Sequence, residues 1–178
     1  MHASVLRSAY DIVHGVRIHS LVSDGPRDRP TLVFVHGLGV STRYMKPTMS
    51  RLADHFDVAG LDFPGFGRSG TPPHILNVSE LSGVLRAWLD LRGIGPAIFV
   101  GNSFGCQIIV ECVTQSPERA IGLFDLPVIG VTLNVFRKAF CIEIKHIGGD
   151  AENFRELLDD RVLRRITPIM LQIVEIRW

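Results

Sequence analysis

The chain has 178 residues, 46% of them hydrophobic and 21% charged, enough for a core that buries roughly 70% of the unfolded surface without a metal or disulfide staple. Lys and Arg number 19 and Asp and Glu 18, a net charge of +1, which argues against the clustered positive excess of a nucleic-acid binder. No apolar run reaches the ~18 residues of a membrane-spanning helix, and residues 1–10 hold no apolar segment of a secretory signal. The expectation is a cytoplasmic protein with reduced thiols, because Cys106, Cys112 and Cys141 are odd in number and show no CxxC spacing.

In chain order, His14-Gly15 separates two alternating stretches, and Gly supplies the positive φ of a hairpin turn. Residues 16–22 alternate with period two, as a half-buried strand does. Residues 23–30 are polar and turn-rich and read as a loop. Residues 31–35 and 97–100 are short apolar runs, predicted as central strands of a parallel sheet buried on both faces. Residues 56–61 and 121–124 are weaker runs of the same kind. Asn77 and Glu80 have capping-box spacing. Leu81, Val84, Leu85, Trp88 and Leu89 then make one apolar helix face. Residues 104–115 predict a helix that stops at Ser116-Pro117.

Strands alternating with helices imply an α/β fold, a mostly parallel central sheet flanked by helices. Residues 1–125 carry this pattern and read as the core. Residues 126–165 read as a reduced, irregular segment, with a helix expected over 151–165 and a strand over 141–147. Residues 166–178 hold a further strand candidate over 168–176.

Gly101-Asn102-Ser103-Phe104-Gly105 fits G-x-S-x-G between a predicted strand and a predicted helix. A serine hydroxyl becomes a nucleophile when it is exposed, aimed and placed beside a base. A sharp strand-to-helix turn exposes Ser103, and the helix N-terminus stabilises a nearby oxyanion. Side chains at Gly101 and Gly105 are expected to collide with neighbouring backbone. His36-Gly37-Leu38-Gly39 directly follows the strand over 31–35. Its glycines let a backbone N–H turn toward the serine, so the amides of Leu38 and Phe104 are the expected oxyanion donors. His36 is expected to shape this loop through hydrogen bonds rather than act as base, because it precedes the nucleophile. Gly65, Gly67 and Gly70 make a formal G-x-G-x-x-G. Thr71-Pro72-Pro73 blocks the helix that a dinucleotide site requires, so a bulging loop is expected instead.

The His36–Gly39, Asp62–Ser69 and Gly101–Gly105 segments together resemble the α/β-hydrolase fold superfamily. The resemblance covers roughly residues 10–125. It implies Ser103 as nucleophile, Leu38 and Phe104 as oxyanion donors, a small-molecule substrate and no cofactor or metal. A serine at the elbow points away from the haloalkane dehalogenase and epoxide hydrolase branches, which place an aspartate there. The Gly-Asn-Ser form is similar to that of carbon–carbon bond hydrolases acting on ring-fission products. The cleaved bond is thus expected to be an ester or related carbonyl bond. Cys106 departs from the small residue, often Gly, that many members carry there.

The family triad runs Ser, then Asp or Glu, then His along the chain. His146 is the sole histidine after Ser103, with Asp125, Asp150, Asp159 and Asp160 as acids to consider. Asp125, just past the strand over 121–124, gives the right order with His146. Asp150 has no histidine after it. The late acid turn and histidine loop of the family are otherwise missing, as in a member cut short with its sheet incomplete at the C-terminal edge. An exposed sheet edge would favour self-association. Two functions stay open: an acyl-enzyme hydrolase, and a catalytically inactive relative acting as a binding or interaction module.

Overall fold

The computed structural model describes residues 5–23 and 29–126. The elements expected over 141–147, 151–165 and 168–176, and with them His146, lie outside the described residues.

Strands β1 (Leu6–Val13) and β2 (Val16–Ser23) form a hairpin whose turn residues His14 and Gly15 have φ of 48° and 78°. Two successive positive φ values match the right-handed twist of the paired strands. There follow β3 (Thr31–Val35), α1 (Thr42–Leu52), β4 (Asp57–Leu61), α2 (Val78–Leu91), β5 (Ala97–Asn102), α3 (Phe104–Gln115) and β6 (Ala120–Leu126). The sheet order is β1-β2-β4-β3-β5-β6. The β3–β4, β3–β5 and β5–β6 pairs are parallel, and β1–β2 and β2–β4 are antiparallel. The chain thus has the α/β architecture of a mostly parallel sheet with flanking helices.

The middle strands are buried along nearly their whole length, Leu32 to Val35 on β3 and all of β4, which is why they read as unbroken apolar runs. On α2, Leu81, Val84, Leu85, Trp88 and Leu89 are buried against the core. Asn77 and Glu80 close the expected capping box, the Glu80 amide donating to Asn77 Oδ1 at 2.9 Å and the Asn77 amide to Glu80 Oε2 at 2.8 Å. Helix α2 packs on α3, and α3 lies along β3, β5 and β6.

Two differences from expectation have local causes. Helix α1 was not foreseen, because Pro47 stands inside it and a proline removes a helical hydrogen bond. Pro47 is exposed, while Thr42, Met45, Met49 and Leu52 form the buried face. Asp125 lies within β6 rather than just past a strand, pairing with Gly101. Strand β5 continues to Asn102, and its backbone there keeps β6 extended to Leu126.

Candidate active site

Ser103 is the single residue between β5 and α3. Its φ of 53° and ψ of −116° fall where a residue with a Cβ is sparsely tolerated, at a cost on the order of 1–3 kcal/mol. The geometry is held from both sides. A Cβ on Gly105 would strike the carbonyl oxygen of Val35 and come within 2.7 Å of that of His36. A Cβ on Gly101 would come within 2.8 Å of both Cys106 Sγ and Ile109 Cδ1. At Gly101, then, the expected collision is chiefly with side chains of α3 rather than with backbone. The Cys106 amide donates to the Ser103 carbonyl at 3.0 Å, starting the helix. The Ser103 side chain does not cap it, so its hydroxyl is not consumed by the helix end.

The loop after β3 sits against this turn. The Cβ position of Gly37 lies 3.4 Å from Ser103 Cβ and 3.1 Å from the Asn102 carbonyl oxygen. Only a glycine allows the two segments to approach this closely. Gly39 turns the same loop with φ of 76°. Leu38 is exposed, and Phe104 is the first residue of α3, where helix amides lack intrahelical partners.

His36 joins this loop to the one after β4. Its Nδ1–H donates to the Gly37 carbonyl at 2.8 Å, and its Nε2 accepts the Phe63 amide hydrogen at 3.0 Å. These bonds assign the neutral Nδ1–H tautomer and occupy both ring nitrogens. Burial holds its pKa below the ordinary histidine value, against the opposing pull of the Gly37 bond and the Asp62 charge. Phe63 and Phe66 pack edge-on against the ring.

The loop after β4 folds around Asp62. This buried carboxylate accepts from the Thr42 amide at 2.8 Å, the Thr42 hydroxyl, the Arg68 amide at 3.0 Å and His19 Nδ1–H at 2.8 Å. Burial pushes its pKa up, but the bonds from Thr42, Arg68 and His19 outweigh that and hold it below the usual value. Gly67, with φ of 55°, gives the carboxylate its room, since a Cβ there would overlap it. The Gly70 amide ties the loop to the Arg17 carbonyl at 2.7 Å. These glycines build a loop with no helix until Val78, unlike the glycines of a dinucleotide site.

Ser103, Gly101, Gly105, Gly37 and His36 are therefore brought together at the ends of β3 and β5. Asp125 reaches the same end of the sheet through β6, beside Gly101. His19 and Thr42 were missed from sequence. A buried histidine in an alternating strand has no local signature, and the Thr42–Asp62 contact spans 20 positions.

A mixed sheet with a serine at a strained strand-to-helix turn defines a hydrolase-type α/β protein. The chain belongs to the alpha/beta hydrolase family, whose model matches residues 32–175. It is 40% identical over 89 residues to a "Putative non-heme haloperoxidase" of Mycobacterium phage D29, covering 49% of this chain and 32% of that one. It is 32% identical over 107 residues to the "Uncharacterized hydrolase YugF" of Bacillus subtilis strain 168, covering 60% of this chain and 39% of that one. The chain spans about a third of the length of the curated relatives it matches. Among solved structures, Epoxide Hydrolase A from Mycobacterium thermoresistibile aligns with a TM-score of 0.63 at 22% identity, over 91% of this chain and 55% of that one. That likeness bears on fold alone. Among the described residues no helix is long and apolar enough to cross a membrane.

Proposed function

We propose that the chain is a serine hydrolase that cleaves an ester or related carbonyl bond of a small molecule through an acyl-enzyme. The observation that carries this is the backbone of Ser103, held at φ of 53° between β5 and α3 with Gly37 against it. In this reading the Ser103 hydroxyl attacks the carbonyl carbon, and the Leu38 and Phe104 amides receive the developing oxyanion. Each such donor contributes on the order of 3 kcal/mol in the transition state. His36 does not serve as base, since both its ring nitrogens are engaged. Asp125 as acid and His146 as base are the pair that chain order allows after Ser103, and Asp125 lies on the strand next to β5.

A serine at the elbow favours acyl chemistry here even though a structural neighbour is an epoxide hydrolase. The Gly-Asn-Ser form keeps carbon–carbon cleavage within the same carbonyl chemistry. A fluorophosphonate probe tests the proposal. Label is expected at Ser103 and is expected to vanish in Ser103→Ala. Equal signal in the two proteins would overturn it and leave the inactive binding module.

A further inference from the structure

A second serine, remote in sequence from Ser103, ends a hydrogen-bonded chain of Ser, His and Asp. Ser8 lies on β1 and is exposed. His19 lies on β2, opposite Tyr10 and two residue pairs along from Ser8, and is buried. His19 Nδ1 stands 2.8 Å from Asp62 Oδ2, and His19 Nε2 stands 3.0 Å from Ser8 Oγ.

The proton positions follow from the partners. Asp62 is held ionised by three donors besides the histidine, the Thr42 amide and hydroxyl and the Arg68 amide, and an ionised carboxylate only accepts. The proton between the two groups therefore sits on Nδ1. In the neutral ring Nε2 then has a lone pair, and the Ser8 hydroxyl donates to it. This is the order of groups that activates a serine nucleophile: hydroxyl, imidazole, orienting carboxylate. Asp62 is itself fixed by Thr42 and Arg68, so the acceptor that orients the ring is held in place. The hairpin register also puts Tyr10 and Ile12 on the face of Ser8, and both are exposed. Tyr10 leans on the His19 ring, centroids 5.2 Å apart.

We infer that Ser8 is a nucleophilic acylation site for activated esters with an apolar or aromatic body, which Tyr10 and Ile12 would receive. In the step, Ser8 Oγ bonds to the ester carbonyl carbon as its hydrogen passes to His19 Nε2. The carbonyl–aryloxide bond breaks, and the imidazolium returns the proton to the departing aryloxide. The products are an ester on Ser8 and a free phenol, with His19 and Asp62 restored.

The test treats the full 178-residue chain with p-nitrophenyl butyrate and maps butyrylation by peptide mass spectrometry. Fragmentation separates Ser8 from Tyr10. Ser50, an exposed serine of α1, is the internal reference. Ser8 is expected to be modified about 10²-fold faster than Ser50, the scale of general-base assistance, and the excess is expected to vanish in urea. Ser8→Ala is expected to remove that adduct and leave any label on Ser103 in place, so the two sites are scored separately. Equal rates at Ser8 and Ser50 in the folded protein, or an excess that survives unfolding, would overturn the inference.

Discussion

The carboxylate of Asp62 accepts the amide hydrogen of Thr42 at 2.8 Å, and so caps α1 from the far end of β4. Ser41, the local residue at the cap position, makes no side-chain bond to the helix. A negative charge at a helix N-terminus is also favoured by the helix dipole. One side chain thus starts α1, anchors His19 and centres the loop that runs to Gly70.

Asp62→Asn is expected to lower stability by about 2–3 kcal/mol, the scale of buried hydrogen bonds to a charged group. An amide would present N–H to donors already pointing at it. The sign with pH is set by the lowered pKa of Asp62. Its stabilisation is fully present above the ordinary aspartate value of 3.8 and is lost as pH falls through the lower folded value. Thermal melts between pH 6 and pH 2 check this, with the Asn variant expected to show the shallower acid slope.

The buried imidazole of His36 adds a second group whose stabilisation is lost on acidification. Its pKa is lowered from 6.5 by burial, so the unfolded chain takes up a proton that the folded chain refuses. Stability is expected to be full above 6.5 and to decline as pH falls below it. His36→Gln is expected to melt lower at pH 7.5 and to lose part of that decline. Melting curves at pH 7.5 and pH 5.5 for both proteins measure the difference.

Strain at Ser103 makes a separate forecast. A glycine adopts positive φ without penalty, whereas alanine keeps the penalty. Ser103→Gly is expected to be more stable than Ser103→Ala by about 1 kcal/mol. Urea unfolding of the pair tests it, and equal midpoints would mean that the turn is relaxed in solution. Both variants are expected to lose fluorophosphonate labelling at this position.

Cys112 is buried, and burial pushes its thiol pKa up to about 11. The thiolate is the reactive form. At pH 8 the peptide carrying Cys112 is therefore expected to resist iodoacetamide until the protein is unfolded, as read by peptide mass mapping. Ready alkylation in the folded state would contradict the packing of α3.

The legible parts of the fold were those whose signals are local. Asn77 and Glu80 sit three residues apart, and the α2 stripe from Leu81 to Leu89 repeats within one helix, so pattern alone finds them. The G-x-S-x-G turn was equally readable, because its glycines and its strand-to-helix context are adjacent. Helix α1 was not, since Pro47 masks its periodicity and its cap comes from Asp62. The Ser8–His19–Asp62 chain was invisible for a related reason: it joins the two strands of the first hairpin to a residue 43 positions after His19. Asp125 was expected just past its strand and lies within it, because the extent of β6 is decided by its partner β5.

Gly37 touches the Ser103 turn on one side and, through its carbonyl, the His36 ring on the other. That ring is bolted to Phe63, the neighbour of Asp62. A disturbance anywhere from Phe63 to Gly70 thus has a short mechanical route to the serine that bypasses the sheet. Directed evolution of the proposed hydrolase activity should accordingly select changes in that loop, not only beside Ser103.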